Sequence, residues 1–287
     1  LFQKLIAEAD KLGISVILDG VFSHTGCNSK YFNKEEKYET IGAYQSKNSD
    51  YYSWYKFNNY PDDYQSWWEI DDLPEINELD PSYLDFILYN DDSVIKYWQD
   101  KGIKGWRLDV ADELPDRFIR KFRNQLKEID SDSVLIGEVW EDASNKVSYG
   151  QQREYLLGDA LDSVTNYPLR YIMVDFITGK IDADTADRLL KTLAENYPLP
   201  YFYSTINFLS NHDITRILTE VSPISEKKIE KEDKKTPLSL KRGKILSLWM
   251  MTFPGVPSIY YGDEAGVVGG KDPDNRRTYP WDDPDRD

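Results

Sequence analysis

Ile103-Lys104-Gly105-Trp106-Arg107-Leu108-Asp109 is the stretch that decides the fold: an apolar run closed by a carboxylate. Two further runs follow the same plan, Leu135-Ile136-Gly137-Glu138-Val139-Trp140 and Phe208-Leu209-Ser210-Asn211-His212-Asp213. A carboxylate that ends a buried strand cannot stay unpaired in an apolar core, so it faces a wet or functional surface. Three of them in one chain point to a shared site at the strand ends of an α/β barrel.

Outward from these runs, strand and helix patterns alternate. Leu1, Leu5, Ile6, Ala9 and Leu12 form a helical stripe, Gly13 ends it, and Ile14 to Asp19 reads as a buried strand. The stretch from Gly20 to Asn90 is too long for an ordinary βα loop. It reads as an inserted subdomain on its own aromatic cluster, with most of Trp54, Tyr60, Trp67 and Trp68 in its core. Then come a helix near Asp92 to Lys101, the strand Ile103 to Asp109, a helix over Leu114 to Ile129 and the strand Val134 to Glu138. A weaker strand lies near Leu161 to Thr165, followed by a helix around Ala183 to Glu195. The strand Ser204 to Leu209, a helix over Leu238 to Thr252 and a last strand, Val256 to Tyr261, complete the order. This alternation implies a parallel sheet with right-handed crossovers. It supplies six strands where a closed barrel has eight. The charged run Ser225 to Lys235 reads as a solvated loop or helix end.

The 287 residues, 40% apolar and 14% aromatic, can fill a sizeable core. A formal net charge of −16 argues against nucleic acid or an anionic membrane surface as partner and favours a neutral substrate. Cys27 is the only cysteine, which rules out an intramolecular disulfide, and it is read as incidental. The two histidines without a cysteine partner make a poor zinc set, so no metal ligand is assigned.

The motifs in order resemble the alpha-amylase superfamily of retaining glycoside hydrolases, family thirteen. Asp19-Gly20-Val21-Phe22-Ser23-His24 is similar to its first motif, Gly105 to Asp109 to the second, Gly137-Glu138 to the third and Asn211-His212-Asp213 to the fourth. Leu73-Pro74-Glu75-Ile76-Asn77 and Gly255-Val256-Pro257-Ser258-Ile259-Tyr260-Tyr261-Gly262 agree with auxiliary stretches. Retaining cleavage of an acetal needs a carboxylate nucleophile and a second carboxyl that first donates and then accepts a proton. By resemblance, Asp109 is the nucleophile, Glu138 the acid/base and Asp213 the third acid, which binds sugar hydroxyls and favours the distorted, cation-like ring. Arg107, two positions before Asp109, shares its strand face and is expected to hold Asp109 ionised. Burial and a nearby negative charge are expected to raise Glu138 so that it starts protonated, roughly 5–5.5 Å from its partner. His24, His212 and Asn211 are expected to bind sugar hydroxyls. Trp140 is weighed between flooring the leaving-group side and plain packing.

The resemblance implies a partial TIM (β/α)8 barrel, about strands three to eight, formed by 1–19 and 91–287. Residues 20–90 are expected to be an inserted domain B. The N-terminal strands and the C-terminal β domain are expected to be missing, as in a fragment of a longer polypeptide. Val110-Ala111-Asp112-Glu113 leans toward the neopullulanase, cyclomaltodextrinase and maltogenic-amylase branch, with Glu113 substrate-binding. Asp272 and Arg276, in Gly269 to Arg277, border a far sugar subsite or form a surface ion pair. Ser23 stands where the family often has Asn near a structural calcium. Ser is the poorer oxygen ligand, so no cofactor is required and calcium is a weak alternative. The implied activity is hydrolysis of α-1,4 bonds, with α-1,6 as an extension, in malto-oligosaccharides, cyclodextrins, pullulan or starch. An endo-acting alpha-amylase or amylopullulanase unit is the alternative, and an inactive sugar-binding member or fragment stands below it. The expected partner is an α-glucan. Oligomeric state and location stay open.

Overall fold

The computed structural model describes residues 1–223 and 235–282. The chain divides into two compact units, Leu1–Glu138 with Val147–Asp162, and Val139–Lys146 with Ser163–Asp287.

The first unit is organised by a parallel sheet in which Gly105–Leu108 lies between Leu18–Gly20 and Val134–Gly137. The register sets Asp19 beside Arg107 and Arg107 beside Ile136. Helix Asp116–Ile129 makes the crossover from the central strand and buries Phe118, Ile119, Phe122 and Leu126. Phe122 meets Trp106 of the central strand edge-on, with centroids 5.9 Å apart. Gly105 is required where strands close up, because a Cβ there would collide with the Val134 carbonyl.

The six expected strands are present but shorter. The ladder of the first runs only over Leu18–Gly20, with Lys104 N–H reaching the Val16 carbonyl just before it. Ile14 and Ile17 are exposed, so the expectation of a buried strand from Ile14 is corrected. Helix Phe2–Lys11 carries the expected stripe but buries no residue.

Between Gly20 and Asn90 regular structure is sparse: a short hairpin, Phe57–Asn59 with Asp63–Tyr64, and single helical turns. Its packing is aromatic. Phe32 is fully buried against Tyr44, Tyr55, Phe57 and Tyr64, and Trp54 packs on Tyr31, Tyr51, Tyr83 and Phe86. Trp54 belongs to this core and Tyr60 to its edge, beside Phe57 at 5.0 Å. Trp67 and Trp68 do not: Trp67 is half-buried and Trp68 is exposed, which corrects the core assignment. The segment ends in a helix missed in the sequence, Pro81–Leu84, started by Asp80 accepting from Ser82 and Tyr83 N–H.

In the second unit, Ile206–Phe208 pairs in parallel with Val256–Ser258, and Thr165 bridges to Ile206 on its other side. Its longer helices are Tyr167–Thr178, Ala183–Asn196 and Pro237–Thr252. The first was not anticipated. Arg170 is buried with Tyr167, Leu169, Ile172, Met173 and Val174 while Tyr171 and Phe176 are exposed, so its sequence lacks a one-sided stripe. Its boundary signals were present: Asn166 caps Leu169 N–H, and Gly179 closes it at φ 81°. The charged run at 225–235 lies outside the described residues except for Lys235.

Candidate active site

Both strand-end acids of the first unit are placed by one more rung of the ladder. Asp109 N–H donates to the Gly20 carbonyl and Glu138 N–H to the Leu108 carbonyl, each at 3.0 Å. Arg107 gathers the side chains. Its Nη1 donates to Asp109 Oδ1 at 2.5 Å and to Asp19 Oδ1 at 2.7 Å, while Nη2 lies 2.8 Å from Glu138 Oε1. Burial works against the Arg107 charge, but Glu138, Asp19 and Asp109 together push its ionisation still higher. The pairing with Asp109 was expected; the reach to Glu138 across the strands was not. What distinguishes the two acids is burial, with 3% of the Glu138 side chain exposed against 19% for Asp109. Glu138 Oε2 also accepts from Val110 N–H at 3.0 Å. Val110 adopts φ 37°, a left-handed conformation that is strained for a β-branched residue.

His24 is half-buried beside this cluster. Its Nδ1 lies 3.0 Å from Ser23 Oγ, and its ring stacks on Trp67 with centroids 5.1 Å apart. Burial lowers its proton affinity, against the pull of Asp109 and Glu113. The Ser23 hydroxyl is buried and lies within hydrogen-bond reach of the His24 ring. Among the described residues no three His, Cys, Asp or Glu side chains gather as a metal set.

Glu113 is held by two rings. Trp68 Nε1 donates to Oε1 at 3.3 Å and Tyr149 OH to Oε2 at 2.5 Å. Trp68 is 56% exposed and Tyr149 74%, both at positive φ, near 50°. Trp68 also stacks on Trp67 at 4.6 Å, extending the column from His24. Asp112 turns away to accept from Tyr155 OH at 2.6 Å. Glu113, Tyr149, Glu75 and Glu78 line a cavity of about 470 Å³. Burial pushes the Glu78 carboxyl up to about 8.

In the second unit, Asp213 sits between His212, at 3.4 Å, and Arg276, at 3.7 Å. Arg276 Nε also donates to Asp272 at 2.7 Å, so the ion pair weighed in the sequence is present and adjoins Asp213. Asn211 Oδ1 accepts from Asp213 N–H and Ile214 N–H, and its Nδ2 donates to Tyr167 OH at 2.5 Å. Trp140 is half-buried in the segment after Glu138. Trp67, Trp68, Tyr149 and Asn275 were not singled out as site residues. Adjacent tryptophans in an aromatic-rich insertion read as core, and Asn275 sits in a run of charges that reads as surface.

The alpha-amylase catalytic-domain family model matches residues 1–286. The chain belongs to the alpha-amylase family, whose catalytic domain has a TIM-barrel-type fold. It is 40% identical to an amylopullulanase of Thermoanaerobacterium thermosulfurigenes over 98% of its length, covering 16% of that protein. It is 31% identical to neopullulanase 2 of Thermoactinomyces vulgaris over 98% of its length, covering 43% of that protein. Among solved structures, the cyclic alpha-maltosyl-(1→6)-maltose hydrolase of Arthrobacter globiformis aligns with a TM-score of 0.78 at 28% identity. That alignment covers 98% of this chain and 58% of the other. The chain therefore spans less than half the length of these curated relatives.

Proposed function

We propose that this chain carries the catalytic machinery of a retaining α-glucan hydrolase acting on α-1,4 glucosidic bonds, with α-1,6 bonds as an extension. The observation that supports it best is Arg107 set against both Asp109 and Glu138 at adjacent strand ends. In this reading an Asp109 oxygen bonds to the anomeric carbon while Glu138 gives its proton to the departing glycosidic oxygen. Glu138, now a base, takes a proton from water, whose oxygen displaces Asp109 and restores the original configuration. Asp213 binds hydroxyls of the flattened, cation-like ring, with Asn211, His212 and His24 as further hydroxyl partners. Glu113, with Trp68 and Tyr149, forms a substrate-binding patch, Trp140 floors the leaving-group side, and Asp272 and Arg276 border a more distant subsite. Residues 20–90 act as domain B on a barrel formed by 1–19 and 91–287. The reading requires no cofactor, and the partner is the glucan; among the described residues no helix is long and apolar enough to cross a membrane.

The higher identity to an amylopullulanase, 40% against 31% for neopullulanase 2, favours a second reading as the amylase unit of such an enzyme. Product chromatography with β-cyclodextrin, pullulan and soluble starch tests both, with Asp109→Asn as control. Preference for cyclodextrin selects the neopullulanase and cyclomaltodextrinase branch. Comparable cleavage of pullulan and starch selects the amylopullulanase unit. Turnover that survives Asp109→Asn would sink the assignment of the nucleophile.

A further inference from the structure

We propose that Asn275 is a positioning residue for Asp213, a role that rests on the reading of Asp213 given above. Asn275 is fully buried in the helical turn Asp274–Arg276. Its Nδ2 donates to the His212 carbonyl at 2.8 Å and the Ile214 carbonyl at 2.9 Å, with the Asn211 carbonyl at 3.4 Å. One amide therefore ties the main chain on both flanks of Asp213. The Asp213 side chain is itself only loosely held, by His212 at 3.4 Å and Arg276 at 3.7 Å. A carboxylate held in this way is placed only as well as its backbone.

The other end of the same amide strengthens the argument. Asn275 Oδ1 is buried and has no hydrogen-bond partner. An unpaired buried acceptor costs stability, and an apolar side chain of similar shape would avoid that cost. What Asn275 contributes is thus its donors. Turning the amide over would set its oxygen against three carbonyl oxygens, so the chemistry admits one orientation. The turn is anchored in its own right. The Asn275 carbonyl accepts from Arg216 Nε at 2.8 Å, and a Cβ on Gly269 would come within 2.7 Å of the Asp274 carbonyl oxygen. Asn275 passes that rigidity to the loop bearing Asp213.

The test is a double-mutant cycle on soluble starch with Asn275→Leu, Asp213→Asn and the double variant, each checked by thermal melting. Asn275→Leu is expected to lower kcat on the order of 10²-fold, the scale of a misplaced catalytic group, with KM little changed. In the Asp213→Asn background the same substitution is expected to cost far less. An equal loss in both backgrounds, or full activity in Asn275→Leu, would overturn the proposal. Asn275→Asp, near-isosteric but facing the carbonyls with oxygen, serves if the leucine variant fails to fold, with the same outcomes. The chain has two histidines, so the His212 ring resonances give a readout independent of turnover. They are expected to move in either variant while those of His24 stay in place, and an unmoved His212 would equally overturn the proposal. If the unsubstituted protein cleaves no α-glucan, the proposed function fails while these resonances still decide the positioning of the loop.

Discussion

Arg107 Nη2 and Glu138 Oε1 lie 2.8 Å apart, joining two adjacent parallel strands where their ladder ends. The same guanidinium holds Asp109 and Asp19, so three carboxyl groups depend on one planar fork. Lysine, a point charge on a flexible stem, cannot reproduce that geometry. Arg107→Lys is expected to lower kcat on the order of 10²- to 10³-fold. Arg107→Ala, which takes the guanidinium away from the buried Glu138 and from Asp109, is expected to cost about 3–5 kcal/mol of stability. Steady-state kinetics and denaturant melts check the two parts separately.

His24 is held below its ordinary proton affinity mainly by burial. Its NMR titration midpoint is expected below the unperturbed value of about 6.5. The unfolded chain then binds the proton more readily than the folded one, so this contribution to stability is present above that value and is lost as pH falls through the folded midpoint. His24→Gln should remove that acid-side slope. An unchanged slope would show that other groups carry it.

Glu78 acts in the opposite direction, with its carboxyl raised by burial to about 8. The folded chain holds the proton that the unfolded chain releases near 4.5, so stability is fully present below 4.5 and declines up to about 8. The total is on the order of 5 kcal/mol. Glu78→Gln is expected to flatten this decline, read as ΔG of unfolding against pH between those limits. If wild type and variant fall in parallel, Glu78 is not the group responsible.

Tyr149→Phe keeps the ring but releases Glu113 Oε2 from its hydrogen bond. Trp68→Ala removes both the second donor and the exposed face of the indole column. Both are expected to raise KM for longer malto-oligosaccharides, with kcat nearly preserved, Trp68→Ala by about tenfold, as for loss of one sugar–aromatic contact of order 1 kcal/mol. A uniform fall in kcat across chain lengths would instead place these residues in the chemical step.

The strands and the two acids of the first unit were legible because local sequence determines them: short apolar runs, each stopped by a carboxylate. Helix Tyr167–Thr178 was not, since its exposed Tyr171 and Phe176 are also apolar and blur the period by which helices are recognised. The contact of Arg107 with Glu138 depends on strand register, which pairs Arg107 with Ile136 and leaves Glu138 one rung beyond Gly137. No motif encodes that register. Trp68 misled because indole is usually buried, whereas here a left-handed backbone turns it outward. Asn275 lay among Asp and Arg residues, and only the returning loop of Asn211 to Ile214 reveals what its amide serves.

The crowding of Asp19, Asp109 and Glu138 around the Arg107 guanidinium also bears on inhibition. Three acids sharing the Arg107 guanidinium leave this cluster rich in carboxyl groups, and a sugar mimic with a protonated ring nitrogen would add a matching positive charge. Such an iminosugar should bind more tightly than the neutral sugar of the same shape, and added salt should erode that advantage in proportion to how far water reaches the acids.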